Sequence, residues 1–343
     1  MDEPEHDWSF SVVIPVLNEA DSIEEALDSL LAADLPDMDL ELLVMDGLSE
    51  DGTREIVSGY VDRFDEVQLL DNERRTTPTG FNVGFEAATN DIVVVMSGHA
   101  RVTEDFFTEI IDIFENRVPD ADVVGTSVTL DSSGYVQTSI AGALMTRFGA
   151  GSDRFRRHEG YVETVSYGAY KREVIEAVGG MDPELPRGQD YEYNKRARES
   201  GYTIYQSRES TVVYEPRATF RSLLTQKFGN GRGKARIFLR DRSPLYRVLP
   251  VLGLVGAVSA AFVASTLSVL VFGLMTLLYL AVMGTTSIGI VHARDGISPR
   301  YLPGMLLALA CIHVGFALGF CLKLVVGSTE DDPQVSPAGE NPG

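Results

Sequence analysis

The stretch Ile92-Val93-Val94-Val95-Met96-Ser97-Gly98-His99-Ala100 decides the fold that this sequence predicts. Its first five residues are apolar and three of them are valines, which is typical of a parallel strand buried on both faces. The strand ends at Ser97-Gly98, and His99 follows directly. Ligands in open α/β sheets collect at the carboxyl ends of the strands. His99 is therefore a candidate ligand-binding residue, and a solvated imidazole on a surface loop is the alternative.

Strands and helices alternate along the first half of the chain. Apolar runs predict strands at 11–16, 40–45, 67–70 and 92–96, and amphipathic patterns predict helices at 20–33, from 53 and at 81–89. This alternation predicts an α/β fold with a doubly wound, mostly parallel sheet. Further along we expect a helix at 103–114, a strand at 122–130, an irregular segment at 131–165, a strand at 165–170, a helix at 171–178 and strands at 204–205 and 211–214.

Polar residues follow these strands and suggest one set of chemistries. Carboxylate and amide groups can hold a ribose or a base edge, arginines can meet a phosphate group, and a histidine can ligate a divalent cation that bridges two phosphate groups. Taken singly, Asp46 could be a turn former, and Arg74-Arg75 could be a solvated pair. Neither a G-x-G-x-x-G nor a P-loop pattern occurs, which argues against dinucleotide and Walker-type sites. The residues concerned are Asn18, Glu19, Asp46, Arg74, Arg75 and His99.

Charge is distributed unevenly along the 343 residues, whose formal net charge is -21. Residues 1–218 hold 44 acidic and 18 basic side chains, whereas 219–247 hold 8 basic side chains and one acid. An acidic body repels nucleic acid, so we expect no nucleic-acid partner. Only 5 of the 29 basic residues are lysine. This composition favours a halophilic, archaeal source, because high salt screens the self-repulsion; an acidic protein with arginine-rich coding bias is the alternative.

Two motifs together resemble those of the inverting family 2 glycosyltransferases of the GT-A fold. They are Val13-Ile14-Pro15 with Asn18-Glu19, and Asp46-Gly47-x-Ser49-x-Asp51-Gly52-Thr53. Residues 10–240 look closest to the succinoglycan glucosyltransferase-like branch with C-terminal membrane helices. The resemblance implies a nucleotide-sugar donor. It implies a donor site composed of Pro15, Asn18, Glu19, Asp46, Ser49, Arg75, Ser97 and Gly98.

The resemblance also implies a metal site after the fourth strand. The family carries Asp-x-Asp at this place, and this chain carries Ser97-Gly98-His99. The related branch, which this chain resembles, also carries a histidine at the last position of the triplet. His99 is therefore the expected ligand for Mg²⁺ or Mn²⁺. Ser97 supplies no charge, which weakens the expectation of metal dependence.

Asp190 is the expected catalytic base. It lies in Gly188-Gln189-Asp190, at the predicted start of a helix. Direct displacement of a sugar requires a carboxylate that takes the proton of the acceptor hydroxyl. In the family this base is the Asp of a Glu-Asp pair, which Asp190 matches, although Gln189 replaces the Glu. A helix N-cap is the alternative role for Asp190.

Three arginines are further candidates for binding phosphate on the donor or the acceptor. Arg154 and Arg156 belong to a basic cluster inside an acidic region, and Arg232 lies in the basic segment. Ion pairing with local acids is the alternative for Arg154 and Arg156. Arg232 occupies the place of a Gln-x-x-Arg-Trp motif of processive relatives, but the spacing is stretched and the tryptophan is missing. We therefore expect transfer of a single sugar.

The C-terminal part predicts a membrane anchor. Residues 219–247 form a basic amphipathic segment that suits a membrane interface. Residues 248–327 predict transmembrane helices at about 248–268, 270–291 and 303–326, with Lys323 placed to reach the polar interface. The preceding residues 1–218 form the predicted GT-A domain, and 328–343 a disordered acidic tail. The basic loops place the catalytic domain in the cytoplasm, as in a multi-pass protein of the cell membrane.

These expectations combine into one function and one alternative. The function is a membrane-anchored inverting glycosyltransferase that moves one sugar from a nucleotide sugar to a lipid-linked acceptor, such as a polyprenyl or dolichyl phosphate glycan. The product would be a surface glycan or a protein N-glycan, made in a possible complex of glycosylation enzymes. The alternative is a degenerate nucleotide-sugar-binding scaffold, which the missing acids at Ser97 and Gln189 motivate.

Overall fold

A computed structural model describes residues 8–35, 39–149, 159–241, 256, 266–293 and 297–326. Within these residues the chain divides into two compact units. The first contains residues 8–130 and 159–215, and the second contains 131–149 and the described residues from 216 to 326. The observed division falls after residue 215, and the helix within 131–149 groups with the C-terminal segments.

The first unit is built on a mixed sheet of nine strands. In chain order they are β1 Phe10–Val16, β2 Leu40–Asp46, β3 Val67–Asp71, β4 Ile92–Val95, β5 Ala100–Val102, β6 Val123–Leu130, β7 Gly160–Tyr161, β8 Gly168–Lys171 and β9 Ile204–Tyr214. Their order in the sheet is β3-β2-β1-β4-β8-β6-β9-β5, with β7 beside β9. The strands β1 to β4 are parallel, as predicted, and so are β6 and β9, whereas β8 runs antiparallel to both β4 and β6.

Helices cover both faces of this sheet. They are α1 Ile23–Leu31, α2 Thr53–Val61, α3 Thr77–Ala87, α4 Phe106–Asp112 (continued by a π-helical turn, Ile113–Arg117), α6 Arg172–Val178 and α7 Gln189–Glu199. Successive residues of β1 and β4 face two different hydrophobic clusters. Val12 and Val94 pack with α1, α2 and α4, whereas Val13 and Val93 pack with α3, α6 and α7. The continuous apolar run at 92–95 is buried for this reason, as predicted.

Three local predictions are wrong. The segment 131–165, expected to be irregular, contains the helix α5 Gly134–Met145. Its small residues fit closely against the helix that begins at Leu302, since a Cβ on Gly304 would lie 2.1 Å from Ser139 Oγ. The helix expected from 81 begins at Thr77, because Pro78 suits the first helical turn. The two late strands form one strand, β9, whose pairing with β6 shifts register between Gly125 and Ser127.

The second unit contains α5 and three long helices: α8 Phe220–Asp241, α9 Thr266–Ala293 and α10 Leu302–Val326. Two segments are long and apolar enough to cross a membrane, Phe272–His292 and Pro299–Val326. They correspond to the second and third predicted spans. Most of the first predicted span and the acidic tail lie outside the described residues. In α9, apolar side chains such as Leu274 and Leu277 are largely exposed, which suits a lipid-facing surface.

Candidate active site

The carboxyl ends of β1, β2, β3 and β4 lie at one edge of the sheet, because these four strands are parallel neighbours. The loops that leave them carry the predicted donor residues. Three non-glycine residues of these loops adopt the left-handed conformation, at φ values of 54°, 59° and 57°. They are Asn18, Leu48 and Arg75. Such residues are uncommon and persist where surrounding contacts determine the backbone.

Hydrogen bonds join the loops after β1 and β2. The Asn18 N–H donates to Ser49 Oγ at 2.9 Å, and the Glu50 N–H donates to Asn18 Oδ1 at 3.0 Å. The Glu19 N–H donates to Thr53 Oγ1 at 2.8 Å. The two motifs that carry the family resemblance are therefore one connected structure, although about 30 residues separate them in the chain.

Asp51 stabilises this connection. Its Oδ2 accepts from the Ala20 N–H at 3.0 Å, and its Oδ1 accepts from the Thr53 hydroxyl at 2.6 Å. Partial burial alone would raise the pKa of Asp51, but the hydrogen bonds from Thr53 and Ala20 outweigh it and hold the pKa below its ordinary value. The role of Asp51 in holding the loop was not predicted from the sequence, although Asp-x-Thr before a helix is a recognisable turn signal.

Asp46 is fully buried and is already engaged within the chain. Its carboxylate accepts from the Ser49 N–H at 3.2 Å and from Arg54 Nη1 at 3.1 Å. Arg54 also pairs with Asp71 at 2.7 Å, and hydrogen bonds to Asp71 and Asp46 raise the pKa of the Arg54 guanidinium. The role of Asp46 toward a donor stays a prediction; in the structure it holds the β2 loop. Arg54 was missed, because an arginine in a first helical turn carries no sequence signal of this pairing.

Arg75 lies in the loop after β3, where its backbone N–H donates to Asn72 O at 2.9 Å. Its guanidinium is 3.7 Å from Glu50 Oε1, and the side chain is 35% exposed. Arg74 is exposed. Arg75 is therefore the better placed of the two for a ligand at this edge. Pro15 lies within β1, where a Cβ on Gly80 of α3 would approach its ring within 2.7 Å.

His99 is held by Glu19. The distance from His99 Nδ1 to Glu19 Oε1 is 3.0 Å, and the His99 side chain is 33% exposed. A carboxylate accepts from a protonated nitrogen, so this contact assigns the hydrogen of a neutral ring to Nδ1 and leaves Nε2 with its lone pair. Ligating histidines in proteins usually have such a partner on the other nitrogen. Glu19, predicted as a donor-binding residue, thus also positions the predicted metal ligand.

The residues around His99 pack closely. A Cβ on Gly98 would lie 2.7 Å from Val16 Cγ1, so only glycine fits there without displacement. The Ser22 hydroxyl donates to Gly98 O at 3.0 Å and thereby fixes the loop to the start of α1. The described residues include no group of three or more His, Cys, Asp or Glu side chains arranged for a metal ion. The role of His99 as a metal ligand stays a prediction.

Asp190 is the second residue of α7, and Gly188 with φ 83° precedes the helix as its N-cap. The alternative role of Asp190 as N-cap is therefore wrong. Its Oδ2 accepts from Ser166 Oγ at 3.0 Å and its Oδ1 accepts from the Tyr191 N–H at 2.8 Å. A carboxylate offers about four acceptor positions, so two hydrogen bonds orient Asp190 and leave acceptor capacity for a substrate.

A two-residue segment connects Asp190 with the β4 loop. Ser166 contacts Asp190, and the next residue, Tyr167, places its hydroxyl 3.4 Å from Ser97 Oγ. Two consecutive residues thus link the predicted base, Asp190, to Ser97 of the predicted donor loop, although 93 positions separate Ser97 from Asp190 in the sequence. Ser166 and Tyr167 were missed, because no local pattern predicts which residues precede an inserted antiparallel strand.

The structure does not test the remaining predicted residues, because none of them lies in the described part of the first unit. Arg154 and Arg156 lie outside the described residues. Arg232 lies on α8 in the second unit, with its guanidinium 6.0 Å from the ring centre of Phe228. A surface cavity of about 490 Å³ elsewhere in the first unit contains none of the predicted site residues; it is lined by Asp105, Glu109, Arg208, Glu209 and Thr211.

Comparison with known proteins gives a consistent result. Residues 11–179 match the sequence family described as Glycosyl transferase family 2. The succinoglycan biosynthesis protein ExoA of Rhizobium meliloti is 27% identical, over 92% of this chain and 94% of its own length. A dolichyl N-acetyl-alpha-D-glucosaminyl phosphate 3-beta-D-2,3-diacetamido-2,3-dideoxy-beta-D-glucuronosyltransferase of Methanococcus voltae is 24% identical, over 93% and 98%.

One solved structure supports the fold assignment. The mannosyltransferase PcManGT of Pyrobaculum calidifontis, in complex with GDP-Man and Mn²⁺, superposes with a TM-score of 0.63 at 17% identity. The match covers 92% of this chain and 88% of that one. At this identity the likeness establishes a GT-A-like fold, as predicted, and the site residues remain to be argued from their own geometry.

Proposed function

We propose that this chain, a glycosyltransferase whose residues 11–179 match the family described as Glycosyl transferase family 2, moves one sugar from a nucleotide-sugar donor to a lipid-linked acceptor at a membrane. The observation that carries the proposal is the contact series from Ser97 through Tyr167 and Ser166 to Asp190. It supports a single site that contains both the oriented Asp190 carboxylate and the loop where the donor diphosphate is expected. Arg154, Arg156 and Arg232 stay candidates for phosphate contacts.

The proposed reaction is a direct displacement. Asp190 accepts the proton of the acceptor hydroxyl as the hydroxyl oxygen forms a bond to C1 of the sugar. The bond from C1 to the diphosphate oxygen breaks, and the nucleoside diphosphate leaves with the electron pair. Attack from the face opposite to the leaving group inverts the configuration at C1. Ser166 holds the carboxylate in place for this transfer.

The donor side of the site is formed by the loops after β1 to β4. The left-handed backbone at Asn18 and Arg75 turns these loops at the edge where the nucleotide is expected. Arg75, with its partly exposed guanidinium, would contact a phosphate group. His99 Nε2 would hold Mg²⁺ or Mn²⁺ together with diphosphate oxygens, since such cations are often bound through one or two protein groups plus substrate phosphates. The cation would offset the negative charge of the departing diphosphate.

A lipid-linked acceptor is proposed from the relatives and from the C-terminal helices. The relative of Methanococcus voltae is named for a dolichyl phosphate sugar, and a relative of Haloferax volcanii, 26% identical over 58% of this chain, is a glucosyl-dolichyl phosphate glucuronosyltransferase. Two described segments are long and apolar enough to span a bilayer. We propose a multi-pass protein with its first unit in the cytoplasm, where nucleotide sugars are made. This chain retains the expected base, Asp190, and the expected donor loops, which favours an enzyme over the nucleotide-sugar-binding scaffold.

The experiment is transfer by the purified full-length protein in lipid nanodiscs that contain polyprenyl phosphate glycan extracts. A panel of labelled nucleotide sugars is supplied with Mg²⁺ or Mn²⁺, and labelled lipid is measured. We expect one sugar to be transferred from one donor. Formation of labelled lipid contradicts the scaffold alternative, whereas donor binding without any transfer would contradict the proposed enzyme.

Asp190→Asn tests the base. We expect transfer to fall by about 10²-fold or more, because positioned general bases contribute about this much, while the dissociation constant of the donor changes less than about twofold. Asp182→Asn is the matched control, since Asp182 caps a nearby turn by accepting from the Glu184 N–H. Full turnover in Asp190→Asn would show that another group accepts the proton.

A further inference from the structure

Asn194 is a fully buried polar residue one helical turn after the proposed base, Asp190. Residues four apart lie on one face of a helix, so the two side chains belong to the same face of α7. The apolar surroundings of this part of α7 include Val165, Tyr170 and Tyr193, which belong to one hydrophobic cluster. An amide in such surroundings is unfavourable unless its donors and its acceptor have hydrogen-bond partners.

The amide of Asn194 has partners at both ends. Its Nδ2 donates to the backbone oxygens of Val165 and Asp190, both at 2.8 Å, and Thr164 Oγ1 is a further acceptor at 3.2 Å. Its Oδ1 accepts from the Tyr170 hydroxyl at 3.0 Å. Because carbonyl oxygens only accept, the two backbone partners determine which end of the amide is the NH₂ group. A carboxylate in this place would face two acceptors, and an apolar side chain would make none of these hydrogen bonds.

The partners of Asn194 flank the hydrogen bond that orients the base. Val165 directly precedes Ser166, whose hydroxyl donates to Asp190 Oδ2 at 3.0 Å. Asn194 therefore joins the backbone next to Ser166 to the backbone of Asp190, and the Ser166 hydroxyl joins the same two segments through side chains. Two connections side by side restrict the distance and the angle between the hydroxyl and the carboxylate more than one connection does.

Tyr170 connects the same amide to the sheet. It lies on β8, where its register partner is Val93 of β4, the strand that leads to Ser97. Burial raises the pKa of the Tyr170 phenol well above its ordinary value, so the hydroxyl stays protonated and donates to Asn194. A Cβ on Gly168 would lie 2.7 Å from Tyr170 Cε2, so a glycine leaves the space that the ring occupies. Asn194 thus ties α7 to the strand beside β4.

We propose that Asn194 is a positioning residue for sugar transfer: it holds the segment that carries Ser166 at the distance from Asp190 at which the serine hydroxyl orients the carboxylate. This inference rests on the proposed function, because it takes Asp190 as the base. A misplacement of about 1 Å can lower an enzymatic rate about 10²-fold. A side chain that fixes the geometry of Ser166 and Asp190 therefore acts on the rate of the transfer step.

The experiment compares variants of the full-length protein in lipid nanodiscs, with the nucleotide sugar that supports transfer in the donor panel. Asn194→Leu removes the amide and keeps a side chain of similar size. We expect kcat for transfer to fall about 10- to 100-fold, while the dissociation constant of the donor changes less than about twofold. A role in folding alone would lower the amount of folded enzyme and leave kcat per folded molecule unchanged.

A double-mutant cycle tests whether Asn194 acts through Ser166. Ser166→Ala removes the hydroxyl that contacts Asp190. If Asn194 acts by holding that hydroxyl, the combination of Ser166→Ala with Asn194→Leu should lower kcat no more than about twofold beyond the more impaired single variant. Independent effects would multiply, and a multiplied loss would overturn the proposal.

Tyr170→Phe is the milder variant, and it decides the question if Asn194→Leu does not fold. It keeps the ring and removes only the hydroxyl that holds Asn194 Oδ1, so we expect kcat to fall about fivefold, the loss of one neutral hydrogen bond. Tyr60→Phe is the matched control, because Tyr60 is also a buried tyrosine and its hydroxyl donates to Asp28 between α2 and α1. Full kcat in Tyr170→Phe would overturn the proposal.

Hydrogen exchange separates failure of this inference from failure of the proposed function, since it needs no turnover. The amides of 164–167 should exchange about fivefold faster or more in Asn194→Leu and at the wild-type rate in Tyr60→Phe. Unchanged exchange in Asn194→Leu would overturn the positioning role whether or not a sugar is transferred. Loss of transfer in Asp190→Asn with full kcat in Asn194→Leu overturns this inference alone, whereas full turnover in Asp190→Asn overturns the base and this role with it.

Discussion

One neighbour, Glu19, determines which ring nitrogen of a neutral His99 carries the hydrogen. The contact of 3.0 Å between Nδ1 and Glu19 assigns the proton of a neutral ring to that nitrogen, so Nε2 is the candidate ligand atom. A histidine in a loop would not by itself distinguish ligand from solvated side chain. The carboxylate partner favours the ligand.

Replacing either residue of this pair should alter metal binding. We expect His99→Ala to abolish the response of transfer to added Mn²⁺, and Glu19→Gln to raise the Mn²⁺ concentration needed for half-maximal transfer about 10- to 100-fold, as loss of such a supporting carboxylate usually does. Binding of Mn²⁺ in the presence of the nucleoside diphosphate, followed by electron paramagnetic resonance, measures the same change without turnover. Glu24→Gln, in the first turn of α1, is the control. An unchanged Mn²⁺ response in His99→Ala would mean that the cation is held by other residues.

Asp51 should make the stability of the loops after β1 and β2 depend on pH. Its pKa in the folded protein lies below the ordinary value of about 3.9. Its contribution is therefore present above that pH and is lost as the pH falls through the lowered pKa. We expect Asp51→Asn to destabilise the protein at pH 7 by about 0.5 kcal/mol, a hydrogen-bond contribution reduced by solvent screening.

The measurement for Asp51 is the thermal unfolding midpoint of both proteins between pH 7 and pH 3. The difference between wild type and Asp51→Asn should shrink toward zero at the acid end. Asp62→Asn, an exposed residue at the end of α2, should show no such convergence. A constant difference at every pH would contradict the ionised role of Asp51.

At the scale of elements, the pairing of α8 with α10 depends on glycines. We expect Gly319→Leu to lower the free energy of unfolding by about 1–3 kcal/mol, the usual cost of overpacking, because its side chain would meet the Phe228 carbonyl oxygen at 2.0 Å. Gly284→Leu in α9 is the matched control, since no atom lies within 4 Å of its Cβ position. The thermal unfolding midpoint in detergent is measured for Gly319→Leu and for Gly284→Leu. Equal midpoints would show that α8 and α10 are not in backbone contact.

The element that differs most from expectation is α5. Residues 132–146 carry no charge and include several small residues, so the segment resembles a loop when read locally. In the second unit these small residues allow close packing, with Gly142 and Ser139 facing Met305 and Gly304. Tyr135 adds a hydrogen bond of 3.1 Å from the Gly304 N–H. Packing therefore determines a helix that local propensity leaves undecided.

At the scale of the whole molecule, the net charge of -21 should make stability depend on salt. Raising KCl from about 0.1 M to about 1 M shortens the Debye length from about 10 Å to about 3 Å and screens the repulsion between acidic side chains. We expect a stabilisation of at least about 1 kcal/mol, or about 2–4 °C in the unfolding midpoint. Sucrose at equal osmolality is the control without ions. A midpoint that rises equally in both would contradict an electrostatic origin.

The sequence alone determined the fold class and the position of most predicted donor residues at one edge of the sheet. Strand and helix periods are local properties, and parallel neighbours bring their carboxyl ends to one edge, so Asn18, Asp46, Arg75 and His99 were predicted at strand exits, where the structure places them. The long apolar runs at 270–291 and 303–326 were predicted as helices for the same reason.

Only the tertiary structure decided which partner each of these side chains has. Long-range contacts brought Glu19 to His99, Arg54 to both Asp46 and Asp71, and Ser166 to Asp190. It also left only 5% of Lys323 exposed, a degree of burial that the sequence does not indicate. Periodicity specifies which face of an element is apolar. The partner of a polar side chain depends on how separate elements pack, and no local pattern contains that information.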